Sequence, residues 1–257
     1  MIATPAPRLN RIYEIYVSLP ADYATSNKRY PVVYVTDAPY AFPLMRAIAE
    51  RVDRHGVGLE DFILVGLGYA KGENGATSRN RDYTPTDRPK NSSLADGVYG
   101  QSAAYLNFVA DAVLPLVDGR YRTDPTRRIY VGHSYGSLFG LKALLDRPGA
   151  FSHYILGSPS LWFNRGYAFD ALKRYAQTQN ELHGKVRFYV GGLEKPTRAR
   201  PHDVNMVAQM NRYAAELQAQ RWRGLDVKAT VLEGEDHATV FPRFVTLGLM
   251  WALPKRD

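Results

Sequence analysis

The pentapeptide Gly132-His133-Ser134-Tyr135-Gly136 sets a serine between two glycines, with an apolar run before it and an apolar stripe after it. Arg128 to Val131 reads as a short buried strand. Ser134 to Leu145 reads as a helix, because Leu138, Leu141 and Leu145 step by three and four. Strand, G-x-S-x-G, helix is the context of a nucleophile elbow. The turn must be so sharp that a Cβ at 132 or 136 is expected to collide with neighbouring backbone. Such a turn strains the serine, lifts its Oγ above the sheet and sets it at the positive end of a helix. The Tyr135 amide is then aimed at the same spot, where it could stabilise a developing oxyanion. The motif alone recurs by chance as a Gly-rich turn; the flanking elements are what favour the chemical reading.

A serine hydroxyl needs a general base, and imidazole is the usual one. For an elbow of this kind the chain order is serine, acid, histidine, so the base lies after residue 134. Of six histidines, His55 and His133 come too early, His133 being the variable position of the motif and expected to pack beside the elbow. His153 begins a buried strand, His183 lies in a polar turn and His202 near a helix start. His237 follows the strand Val227 to Leu232 and precedes the last apolar segment, Ala238 to Leu253, which makes it the expected base. The acid should follow the preceding strand, Val186 to Val190; Glu194 is the first choice and Asp203 the second, and a Ser–His dyad is also open. Glu235 and Asp236 adjoin His237, an awkward approach for adjacent side chains. A second oxyanion amide is expected from Asp37-Ala38-Pro39-Tyr40; Pro39 has no N–H, so either Ala38 or Tyr40 must serve.

The elements that hold these residues alternate. Apolar strand patterns occur at Ile12 to Leu19, Pro31 to Thr36, Phe62 to Gly66, Arg128 to Val131, Tyr154 to Leu156, Val186 to Val190 and Val227 to Leu232. Helical stripes occur at Gly100 to Val117, Ser134 to Leu145 and Asp203 to Gln220. This alternation predicts an α/β fold with a mostly parallel central sheet covered by helices on both faces, its ligands at the carboxyl ends of the strands. A single domain over residues 1–257 is expected, with no repeat and no linker. The chain is 45% hydrophobic, enough for a sizeable core. With no cysteine, disulfides, thiolate metal sites and cysteine nucleophiles are excluded. No histidine pair at helical spacing and no H-E-x-x-H occurs, so no metal and no cofactor are expected. The net charge of +8 lacks the basic-aromatic interleaving of nucleic-acid binding, and no apolar run reaches the ~20 residues of a membrane helix, so neither partner is expected. The first seven residues do not read as a signal peptide, which leaves a soluble protein of the cytoplasm or the periplasm.

The segments YVSLPADY, YPVVYVTDAPYAFP, RDYTPT, RIYVGHSYGSLFGLKAL and SPSLWF, taken in order, resemble the esterase D-like branch of the α/β hydrolases. That branch includes siderophore, feruloyl and acetyl-xylan esterases, S-formylglutathione hydrolase and mycolyltransferases. The resemblance runs from about Ile12 to His237 and is strongest to siderophore-esterase-like members, in which G-H-S-x-G and S-P-S-x-W recur. It implies the α/β-hydrolase fold, carboxyl-ester hydrolysis by Ser134 and His237, and an acid near Glu194. Two positions depart from the pattern: Ala38 stands where Asp-Gly is common, and Ser137 replaces the second glycine of G-H-S-x-G-G. Trp162 could wall an acyl or aryl pocket. Arg79 and Arg198 lie in two basic loops that leave strand ends, which suggests an anionic small-molecule ester such as a ferric siderophore lactone. In the Arg79 loop, Asp82 is expected to act as an anchor through its hydrogen bonds. Acyl transfer, peptidase action or a non-catalytic binding module are the competing readings.

Overall fold

A computed structural model describes residues 1–90, 92 and 94–255. Eight strands form one sheet: β1 (Ile2–Ala6), β2 (Arg11–Ser18), β3 (Tyr30–Val35), β4 (Ile63–Ala70), β5 (Thr123–His133), β6 (His153–Gly157), β7 (Gly184–Gly191) and β8 (Leu225–Leu232). Their order is β1-β2-β4-β3-β5-β6-β7-β8. The first two strands pair antiparallel with each other, β2 pairs antiparallel with β4, and every later neighbour is parallel. This is the mostly parallel α/β sheet that the alternation predicts, in the α/β-hydrolase form that the resemblance implies.

The seven expected strands are all present, with ends that move by up to five residues. The unforeseen one is β1. It carries Pro5 and buries only Thr4 and Ala6, as suits an edge strand that lacks one ladder donor.

The helices are α1 (Ala38–His55), α2 (Gly75–Asp82), α3 (Ser102–Phe108), α4 (Leu114–Arg120), α5 (Tyr135–Asp146), α6 (Phe163–Thr178), α7 (Met206–Ala219) and α8 (Val240–Ala252). The single helix expected from Gly100 to Val117 is divided by a π turn at Val109–Val113. Pro115 is the cause: it has no N–H for the Asp111 carbonyl and its ring crowds that turn. Three helices were hidden from periodicity. In α1, Pro39 and Pro43 interrupt the stripe. In α2 the residues are polar. In α6, Asn164, Arg165 and Gly166 are left-handed and break the regular turn.

Side chains of the central strands alternate between two cores. Tyr34, Tyr130, Tyr154 and Leu156 join one core with Leu138, Phe139 and Tyr213. Val33, Val35, Ile129, Val131 and Ile155 join the other with Met45, Phe244 and Leu249. A sheet buried on both faces can carry apolar residues at every position of a strand, which is why the strands read as short unbroken apolar runs. Among the described residues, no helix is long and apolar enough to cross a membrane.

Candidate active site

Six strand ends converge on one edge of the sheet. β3 leads to Asp37 and Ala38, β4 to Arg79 on α2, β5 to Ser134, β6 to Ser158 and Ser160, β7 to Glu194, and β8 to His237.

Ser134 joins β5 to α5 with φ 58° and ψ −117°, a region that side chains avoid. The glycines around it explain how the turn closes. A Cβ on Gly132 would lie 2.5 Å from the Gly136 carbonyl carbon, as the motif predicts. A Cβ on Gly136 would meet a side chain instead, Thr36 Oγ1 at 2.4 Å, so the crowding there comes from β3 and not from the turn itself. Ser137, which replaces a glycine of the resembling family, places its hydroxyl 2.8 Å from the Gly132 carbonyl and 2.7 Å from that of Gly157. It thus ties the elbow to β6.

Glu194 and His237 meet. The Nδ1 of His237 lies 2.6 Å from Glu194 Oε2. An ionised carboxylate only accepts, so Nδ1 carries the proton and Nε2 is left with its lone pair. The other oxygen, Oε1, accepts from the Ser158 hydroxyl at 2.6 Å and from the Gly191 amide at 2.8 Å. Three donors therefore fix a carboxylate whose side chain is 3% exposed, while the imidazole is 46% exposed. Asp203 is remote from this arrangement; it is exposed and pairs with Arg200 at 3.3 Å. Glu235 pairs with Arg243, and Asp236 accepts from the Ala238 and Thr239 amides, so the two carboxylates that precede His237 shape its loop.

Ser134 and His237 share no hydrogen bond in this structure; the Ser134 hydroxyl instead lies 3.2 Å from that of Ser160. Hydrogen bonds of this kind are often long without substrate and tighten when it binds.

On the oxyanion side the Tyr135 amide has no acceptor among the described residues, as befits the first residue of α5. The Tyr40 amide, one of the two expected donors, is corrected by the structure: it donates to the Asp37 carbonyl at 3.1 Å in the first turn of α1. The Ala38 amide carries no such bond. Asp37, just before it, is fully buried and left-handed at φ 60°. Its Oδ1 accepts from Arg79 Nε at 2.7 Å and from the Tyr69 hydroxyl at 2.8 Å. Burial raises the Asp37 carboxyl above its ordinary range, and Arg79 and Tyr69 oppose that rise.

Arg79 is therefore an internal clamp as much as a surface cation. Its guanidinium also reaches the His133 carbonyl at 3.5 Å and faces the Tyr135 ring. Its loop is not the open rim that its charge suggested, because Arg81 and Asp82 are buried in a mutual pair. Asp82 also accepts from Tyr13, which makes it the anchor expected. Arg198 is exposed on the segment after Glu194. Trp162 is half-buried, with its ring 6.0 Å from that of Tyr135.

His133 packs beside the elbow, its ring 4.6 Å from that of His237 and between those of Phe241 and Phe244. Burial, followed by the facing charges of His237 and Arg79, pulls its pKa down to about 3. Sequence reasoning did not find Asp37, Ser158 or Ser160 as parts of the site. The available signal was a polar residue directly after a strand end.

The family model described as "Putative esterase" matches residues 6–241. Ferri-bacillibactin esterase BesA of Bacillus subtilis is 29% identical, over 95% of this chain and 86% of its own length. Siderophore triacetylfusarinine C esterase of Aspergillus fumigatus is 30% identical, over 92% and 87%. Among solved structures, siderophore hydrolase EstA of Aspergillus nidulans superposes with a TM-score of 0.78 at 26% identity, over 93% of this chain and 89% of that one.

Proposed function

The chain belongs to the Esterase family and is a serine carboxylic-ester hydrolase, and from that premise we propose that Ser134, His237 and Glu194 hydrolyse a siderophore-type ester through an acyl-enzyme. The observation that carries the residue assignment is the 2.6 Å contact of His237 Nδ1 with the buried Glu194 carboxylate, on the edge of the sheet where the Ser134 elbow stands. We also take residues 1–257 as one domain built on this sheet.

In this reading His237 Nε2 removes the Ser134 proton as Oγ attacks the ester carbonyl. The Tyr135 and Ala38 amides receive the oxyanion, and Glu194 stabilises the imidazolium without taking its proton. The intermediate collapses, the C–O bond breaks, and His237 returns the proton to the leaving alcohol. Water then attacks the acyl-enzyme by the same route and releases the acid.

The siderophore part of the proposal rests on two supports. BesA and the triacetylfusarinine C esterase carry siderophore esters in their names and align over nearly the whole chain. Lys195 and Arg198 are exposed beyond Glu194 and have no ion-pair partner among the described residues, whereas Arg200 is paired with Asp203. Free cations beside the site suit an anionic ferric complex.

A fluorophosphonate should label Ser134 in the wild type and leave Ser134→Ala unlabelled; no adduct on Ser134 removes the nucleophile assignment. Ferric catecholate trilactones and triacetylfusarinine C should be hydrolysed with a higher kcat/KM than p-nitrophenyl acetate. The reverse order sinks the substrate assignment and leaves the esterase chemistry standing.

A further inference from the structure

Directly after β6, the tripeptide Ser158-Pro159-Ser160 passes beneath both halves of the site. Ser158 is left-handed at φ 44°, fully buried, and donates to Glu194 Oε1 at 2.6 Å. Its amide is fixed to the Tyr189 carbonyl at 2.7 Å. Two residues on, the Ser160 amide reaches the Ser134 carbonyl at 3.4 Å and the Ser160 hydroxyl lies 3.2 Å from that of Ser134. One short segment therefore touches the acid with one hydroxyl and the nucleophile with the other.

The direction of the second hydrogen bond follows from what each hydroxyl can reach. Ser160 is 1% exposed, and Ser134 Oγ is its sole side-chain hydroxyl partner among the described residues. A buried hydroxyl proton needs an acceptor, and leaving it without one is destabilising. Ser134 is half-exposed, so its own proton has water, and on substrate binding His237, to turn to.

We propose that Ser160 is a positioning residue for the nucleophile: its hydroxyl donates to Ser134 Oγ and leaves the Ser134 proton for His237. This rests on the reading of Ser134 as the nucleophile. The hydrogen bond acts twice in the cycle. During attack it fixes the Oγ rotamer and stabilises the charge that grows on the oxygen as its proton leaves for His237. During deacylation the C–Oγ bond breaks, Oγ takes its proton back from His237, and the Ser160 hydroxyl again donates to the oxygen while it carries charge. No proton is transferred to or from Ser160, so the balance of the ester hydrolysis is unchanged.

The test compares the full-length wild type with Ser160→Ala, Ser160→Thr and Ser160→Cys, using p-nitrophenyl acetate in rapid-mix and steady-state assays. Ser160→Ala should lower kcat about tenfold or more, the size of one lost hydrogen bond to a charged group, with KM within twofold. The acylation burst and the following steady rate should both slow. Ser160→Thr, which keeps the hydroxyl, should recover kcat to within about threefold, and Ser160→Cys should fall between Thr and Ala. Thermal midpoints within a few degrees of wild type should accompany these changes. If Ser160→Ala does not fold, Ser160→Cys against Ser160→Thr carries the comparison. Wild-type kcat in Ser160→Ala overturns the proposal, and so does a loss of kcat that tracks a fall in melting temperature and is shared by Ser160→Thr. Fluorophosphonate labelling of the wild type separates the two failures: without label on Ser134 the nucleophile assignment fails, whereas with label and no Ser160 effect this inference alone fails.

Discussion

Glu194 holds its place through three donors, His237 Nδ1–H, the Ser158 hydroxyl and the Gly191 amide, and each would be weakened by loss of its charge. Glu194→Gln presents an amide where Nδ1–H needs an acceptor and can turn the imidazole to the wrong tautomer. We expect kcat to fall by about three orders of magnitude, with thermal stability little changed. Asp203→Asn, which removes only a surface pair with Arg200, should keep kcat within twofold. Parallel steady-state assays of the two variants check the choice of acid.

His133 gives a pH prediction at the same scale. Its folded pKa is about 3 and its ordinary value 6.5. Between these values the unfolded chain binds a proton that the folded chain refuses, so stability rises with pH across the window and is lost as pH falls below about 6.5. At pH 5 the loss through this one ring is about 2 kcal/mol. Urea denaturation at pH 7 and pH 5 should show a smaller acid loss for His133→Gln than for wild type. An equal loss in both would remove His133 as the cause.

At the scale of elements, the junction of β3 with α5 decides how tightly the elbow closes. Gly136→Ala puts a methyl group 2.4 Å from Thr36 Oγ1 and should cost about 2 kcal/mol. The same change in a Thr36→Ala background should cost much less, because the next atom it meets, Asp37 Oδ2, is 3.5 Å away. A double-mutant cycle by denaturant titration reads that coupling directly. A cost unchanged by Thr36→Ala would mean that the turn itself, not β3, resists the side chain. The same junction bears on the proposed oxyanion side, since Asp37 caps α1 two residues beyond β3 and precedes the Ala38 amide.

At the scale of the whole molecule, the charge of +8 is unevenly used. Arg79, Arg81, Arg127 and Arg128 are tied into ion pairs, whereas Lys195 and Arg198 stand exposed on the segment after Glu194. Raising ionic strength from 0.05 to 0.5 M should lower kcat/KM for an anionic ester by about threefold and leave a neutral ester unchanged. Arg198→Ala should shrink that salt effect. An identical salt response for both esters would show that the surface charge plays no part in substrate capture.

Much of this molecule was legible before its structure. Apolar patterns marked seven of eight strands; in central ones such as β3, burial on both faces calls for apolar residues throughout. The elbow was readable because part of its steric demand is local: a Cβ on Gly132 would meet the Gly136 backbone four residues on, whereas the crowding at Gly136 comes from Thr36, far off in the chain. Chain order singled out His237 and ranked Glu194 ahead of Asp203. What sequence could not decide were contacts between residues far apart in the chain. That Arg79 is clamped by Asp37, and that Ser158 and Ser160 reach Glu194 and Ser134, follow from where six strand ends meet. Periodicity records which face of an element is buried, but it carries no information about which polar atom lies within 3 Å of another. Tertiary packing alone brings those atoms together, and with them the hydrogen bonds around Ser134 and Glu194.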